Sequence, residues 1–182
     1  MQYSDMLIRP AEPADALAVA SVHVRAWQAA YRTLLPQDYL DQLRPEDRAE
    51  RYDFSHQDPL KPYTMVACDG NAILAFATTM PCRDEDLAHY GELCALHADP
   101  LHWGRGIGVA LIAAARVHLA QRGFQHACLW VLKGNTRAAR FYEIDGWAAD
   151  GKHKTETVWG VTVQDFRYCR SLQAESAVGE QA

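Results

Sequence analysis

Apolar residues recur along this chain with helical and extended periods in turn, and Gly, Pro and Asp separate one period from the next. Met6 to Arg9 reads as a short strand. Glu12-Pro13-Ala14-Asp15, with proline at an early helical position, opens a helix that runs to about Arg32. Pro36 and Pro45 bracket shorter helical pieces up to about Phe54. Tyr63 to Cys68 and Ala72 to Met80 are apolar segments joined by Asp69-Gly70-Asn71, which predicts a hairpin. Gly91 to Pro100 is a mainly apolar stretch of strand length closed by Asp-Pro. Ile107, Ala110, Leu111, Ala114 and Val117 then recur at helical spacing, with Gly123 at the place of a C-terminal cap. Gln125 to Leu132 predicts a strand, and Thr136 to Asp145 a short helix ending at Gly146. Lys152 to Thr157 and Thr162 to Cys169 predict a closing hairpin. Helices interleaved with strands and hairpins imply an α/β domain with a mixed sheet.

Composition narrows this picture mildly. A chain of 182 residues with 49% hydrophobic content is enough for one well-packed domain, expected over 1–172, with a small polar tail, 173–182, expected to be disordered. A net charge of −5 argues against an extended nucleic-acid surface. The first ten residues lack the apolar core of a signal peptide, and no run approaches the ~20 apolar residues of a membrane span. Five cysteines without a Cys-x-x-Cys pair suit reduced thiols, so the expected location is cytoplasmic. His97, His102 and Cys94 are close in sequence, but strand alternation predicts that Cys94 and His97 face opposite ways, and no metal site is expected.

Gly104-Arg105-Gly106-Ile107-Gly108 joins the strand that ends at Asp99-Pro100 to the helix that follows. Glycines let a backbone approach a ligand closely, and a helix start adds unpaired N–H groups and the positive end of a dipole. The ligand to expect there is a phosphate. The dinucleotide fingerprint is absent, because its last glycine would fall on Val109 or Leu111, and no Gly-Lys-Ser/Thr follows for a P-loop. On this segment alone a tight strand-to-helix turn without ligand stays open.

A second constellation, Leu129-Trp130-Val131-Leu132-Lys133-Gly134-Asn135, continues through Phe141-Tyr142 to Gly146-Trp147. Strand, Asn, Ala, Phe-Tyr and Gly-aromatic in this order, after a Gly-x-Gly-x-Gly turn, resemble the GCN5-related N-acetyltransferase family. Ile8-Arg9-Pro10-Ala11 with Asp15 resembles that family's opening strand and helix, so the likeness covers about Met6 to Arg170. The resemblance implies a mostly antiparallel mixed sheet flanked by helices, with a splayed strand pair that binds acetyl-CoA. Backbone N–H groups of Trp103, Gly104, Arg105, Gly106, Ile107 and Gly108 would hold its pyrophosphate. Leu96, His97 and Ala98 would meet the pantetheine arm and thioester, Asn135 would contact the pantetheine, and Tyr142 would serve the departing sulfur. Trp103 departs from the usual Gln or Arg, which removes one side-chain phosphate contact.

Acetyl transfer to an amine of pKa ~10.4 starts from a neutral fraction below about one in a thousand at pH 7. Glu92, at the start of the central strand, is the candidate base, against an ordinary glutamate held in a salt bridge. Tyr142, with a reference pKa of ~10, stays protonated, and a thiol near ~8.5 is slightly the stronger acid, so a hydrogen bond to the developing thiolate is favoured over full transfer. N–H groups near Ala98 would polarise the carbonyl. His23, Trp27 and Tyr31 share one helix face and form either an aromatic acceptor wall or plain core. Neither Cys94 nor Cys128 has a His partner at a recognisable spacing, and the family transfers directly in a ternary complex. Three readings follow: an N-acetyltransferase for a small amine or a protein or peptide amino group, a relative using a longer acyl-CoA or an O-acceptor, or a non-catalytic acyl-CoA-binding module. Trp159 and the last strands would supply a homodimer face.

Overall fold

Residues 6–158 and 161–173 are described by a computed structural model. Trp159 and all but the first residue of the expected tail lie outside the described residues. Among the described residues, seven strands form one sheet: β1 (Met6–Pro10), β2 (Tyr63–Asp69), β3 (Ala72–Pro81), β4 (Gly91–Ala98), β5 (His126–Leu132), β6 (Ala148–Val158) and β7 (Val161–Ser171). Their spatial order is β1-β2-β3-β4-β5-β7-β6. Five helices accompany them there: α1 (Ala16–Ala30), α2 (Gln37–Asp41), α3 (Pro45–Ala49), α4 (Ile107–Gln121) and α5 (Thr136–Ile144). Every described strand pairing is antiparallel except that of β4 with β5. The sheet is therefore mixed and mostly antiparallel, as expected.

Helices cover both faces, which is why β2 and β3 are apolar almost without alternation. Met65, Ala67, Ala75 and Ala77 pack in the same cluster as Ile107, Leu111, Ile112, Ala115 and Leu119 of α4. Val66, Cys68 and Phe76 pack in a second cluster with Val19 and Val22 of α1. The buried stripe of α4 differs from the spacing read in the sequence, since Val117 is 55% exposed while Ile112, Ala115 and Leu119 are buried. That helix is apolar on nearly every side, so periodicity alone selects no face. The 3-10 turn at Pro13–Asp15 precedes α1, and Arg9 holds Asp15 by two hydrogen bonds of 2.6 and 3.0 Å.

One irregularity positions everything that follows. The β4–β5 pairing consists of two register pairs, Gly91 with Ala127 and Glu92 with Cys128. Beyond them β4 stays paired to β3 and β5 stays paired to β7, so the sheet opens between β4 and β5.

Candidate active site

The gap is a cleft of about 420 Å³, a size suited to a small-molecule or cofactor site. Its walls are Leu93 to Ala98 of β4, Trp130 to Leu132 of β5, the start of α4 and one face of α5. Burial along β4 follows the opening: Gly91 to Leu93 are buried, and Cys94 to Ala98 become half-buried where β5 departs. A register shift opposite Thr78 and Thr79 interrupts the ladder at Cys94, and Cys94 and His97 line the cleft with the other residues from Leu93 to Ala98. The Asp99 N–H donates to Leu74 of β3 at 2.8 Å. Alternation then turns the N–H groups of Ala98 and Leu96 toward the open side.

At the mouth, Gly104 and Gly106 have φ of 75° and 80°, in the left-handed region that disfavours side chains. Gly106 is the N-cap of α4, and the first intrahelical bond runs from Ala110 N to Gly106 O at 3.0 Å. The N–H groups of Gly106, Ile107, Gly108 and Val109 precede it and have no intrahelical partner, so they form a donor array at the positive end of a 15-residue helix. Asp99 steadies this turn by accepting from Leu101 N at 3.0 Å and from Arg25 of α1 at 2.6 and 2.9 Å. Trp103 donates its indole N–H to the Ala98 carbonyl at 2.8 Å, which leaves the Ala98 N–H free of that contact. The Arg137 guanidinium lies 3.5 Å from the Trp103 ring centre. A cation therefore stands at the mouth although Trp103 brings none.

Deeper in the cleft, Tyr142, Asn135 and Tyr31 come together. Asn135 caps α5 by accepting from Ala138 N at 3.2 Å. Burial first, and then the neighbouring Tyr31, push the Tyr142 phenol well above its usual value. Burial pushes Tyr31 up to about 12. Both phenols are hydrogen-bond donors throughout the neutral range, and neither is a proton source for a thiolate by simple acidity.

The remaining expected residues divide. Leu96, His97, Ala98, Trp103, Gly104, Gly106, Ile107, Gly108, Asn135, Trp27 and Tyr31 line the cleft. Arg105 is exposed on the turn. His23 is buried outside the cleft wall, its Nδ1 2.8 Å from Tyr52 Oη and its ring centre 4.8 Å from that of His97. Glu92 is absent from the cleft wall. It is 2% exposed, and Arg83 holds both of its carboxylate oxygens, with nitrogens at 2.5 and 3.1 Å. The ion-paired alternative is thus what Glu92 adopts, because the segment after β3 folds Arg83 against it. Cys82 and Cys128, 46 residues apart, bring their Sγ atoms to 3.0 Å, and an Asp84 oxygen lies within 4.8 Å of both. This group is outside the cleft wall.

The chain matches the acetyltransferase (GNAT) family model over residues 25–147. It belongs to the GNAT acetyltransferase family. The uncharacterised N-acetyltransferase YuaI of Bacillus subtilis is 29% identical over 128 residues, covering 70% of this chain and 72% of YuaI. Mycothiol acetyltransferase of Salinispora tropica is 40% identical over 82 residues, 44% of this chain, and the match spans 27% of that longer protein. Among solved structures, PaiA N-acetyltransferase of Thermoplasma acidophilum in complex with coenzyme A gives a TM-score of 0.70 at 18% identity, covering 92% of this chain and 99% of that one. yncA of Salmonella typhimurium with acetyl-CoA gives 0.70 at 16% identity, covering 97% and 99%. Both solved proteins share the fold described above.

Proposed function

We propose that this GNAT chain transfers the acetyl group of acetyl-CoA directly to an acceptor amino group bound in the same cleft. The observation that carries the reading is the opening between β4 and β5, with the α4 donor array at its mouth and Tyr142 in its wall. Solved neighbours of the same fold hold coenzyme A or acetyl-CoA, which supports this cosubstrate.

In this reading the pyrophosphate accepts from the N–H groups between Gly104 and Val109, with Arg137 beside it. The pantetheine arm follows Leu96 to Ala98 and passes Asn135. The amine lone pair attacks the thioester carbon, and the carbonyl oxygen gathers charge against strand N–H groups that are already in place. The C–S bond then breaks, and the Tyr142 hydroxyl donates to the departing sulfur. The proton lost from the amine leaves to solvent. With Glu92 committed to Arg83 and His97 held, chiefly by burial, at about 4, the acceptor's own deprotonation sets the reactive fraction.

Thiol release from acetyl-CoA across a panel of amines tests this. We expect turnover whose kcat/KM rises about tenfold per pH unit below the acceptor pKa. A plateau beginning near neutrality would indicate an enzyme base instead. Acetyl-CoA binding without thiol release for any amine, alcohol or peptide acceptor would contradict transfer altogether.

A further inference from the structure

A second cavity, about 210 Å³, neighbours the cleft, and Trp27 belongs to the walls of both. His23 lines the second space and His97 the first, with the histidine ring centres 4.8 Å apart. The second cavity is lined by Arg44, Arg48 and Arg51 against one carboxylate, Asp47. In a chain of net charge −5 this is a local reversal of sign. The three arginines follow the spacing i, i+4, i+7, so one face around α3 carries them.

None of these arginines is held by an ion pair among the described residues. By contrast Arg9, Arg25, Arg83, Arg116, Arg167 and Arg170 each have a carboxylate. Arg48 is half-buried, and its guanidinium sits 5.7 Å from the Tyr52 ring centre. Its Nε is shut away from solvent with no hydrogen-bond partner, and so is the Nε1 of Trp27. The three guanidinium groups donate without accepting, so an anion is the ligand that this face of the cavity suits.

We infer that the second cavity is an anion subsite of the acceptor, so that the amine to be acetylated carries a carboxylate or phosphate that Arg48, flanked by Arg44 and Arg51, binds while the amino group reaches the cleft past Trp27. This rests on the acetyltransferase reading above. The acceptor is then an elongated molecule, cationic or neutral at the reacting end and anionic at the other. The arginine face rejects acceptors that are cationic throughout.

Matched acceptors test it: 5-aminopentanoate against 5-aminopentanamide for a carboxylate, and 3-aminopropyl phosphate against 3-aminopropanol for a phosphate. Thiol release should favour the anionic member of at least one pair by tenfold or more in kcat/KM, and the pair that shows it names the anion. Arg48→Met should collapse that ratio at least tenfold, and Arg48→Lys should restore part of it. Stabilisation of each variant by acetyl-CoA reports that the fold is intact. Equal use of both members, or a preference that survives Arg48→Met, would overturn the subsite and leave the acetyltransferase reading standing. Thermal stabilisation by 5-aminopentanoate or 3-aminopropyl phosphate, in the presence of coenzyme A and dependent on Arg48, would uphold the subsite even where no thiol is released, and would then count against transfer. No stabilisation by either probe and no turnover of either would overturn the subsite.

Discussion

Tyr142 is the residue on which the chemistry turns. Its ring sits edge-on to Phe141 and Trp147, with centres 5.3 and 6.3 Å away, so its hydroxyl is placed by packing on both sides. Burial makes the phenol a poorer acid and a fixed donor. Tyr142→Phe should therefore lower kcat at least tenfold while acetyl-CoA affinity holds, measured by steady-state thiol release beside calorimetric titration; an unchanged kcat would remove Tyr142 from the reaction. Glu92 shows the limit of reading single residues. Its position at the head of the central strand suggests a base, yet its role depends on where Arg83 returns after β3, nine residues away in sequence. We expect Glu92→Gln to lower the melting temperature, because it leaves a guanidinium without its carboxylate, and to keep kcat/KM within tenfold. A loss of 10²–10⁴ in rate with unchanged stability would restore it as the base. Arg137 is equally invisible in the sequence, since only folding brings α5 over Trp103.

At the scale of elements, β4, the glycine turn, α4 and α5 are legible because their signals are local: an apolar run, a Gly at each change of period, and caps. The strand expected to close at Pro100 ends at Ala98, and β6 begins at Ala148, four residues before the expected hairpin arm. What stays illegible is non-local, namely the register that pairs Glu92 with Cys128, the shift at Cys94, and the face that α4 buries. The two turn glycines differ in a testable way. Gly106 has φ 80°, with open space in the direction a side chain would take, so Gly106→Ala should cost about 1–2 kcal/mol of strain and also weaken acetyl-CoA binding by displacing the donor array. Gly108 lies inside α4, where an added Cβ meets Phe141 at 3.5 Å, an ordinary contact. Gly108→Ala should therefore leave the ligand-free melting temperature unchanged or slightly raised. Equal losses at both positions would refute a conformational role for Gly106.

For the whole molecule, the order of elements and the mixed sheet follow from the sequence, and membership of the GNAT family agrees with the motifs around Gly104 and Asn135. Among the described residues no helix is long and apolar enough to cross a membrane. Two histidines, the buried His23 and the half-buried His97, tie global stability to pH. Burial, with smaller contributions from neighbouring charge, lowers His23 from 6.5 to about 2 and His97 from 6.5 to about 4. Between pH 6.5 and about 4 the unfolded chain binds protons that the folded chain excludes, so stability falls as pH falls through that window, by up to ~1.4 kcal/mol per pH unit for each histidine. Melting temperature should decline steadily from pH 7 to pH 5, and a flat profile would contradict imidazoles kept neutral by the fold. The central claim, that the opening between β4 and β5 is an acetyl-CoA site, is tested most directly by thermal unfolding with acetyl-CoA beside NAD and ATP. Acetyl-CoA at ~100 times its Kd should add ~2.7 kcal/mol, a shift of several degrees that the two nucleotides do not match. No shift with acetyl-CoA, or the same shift with all three, would contradict it.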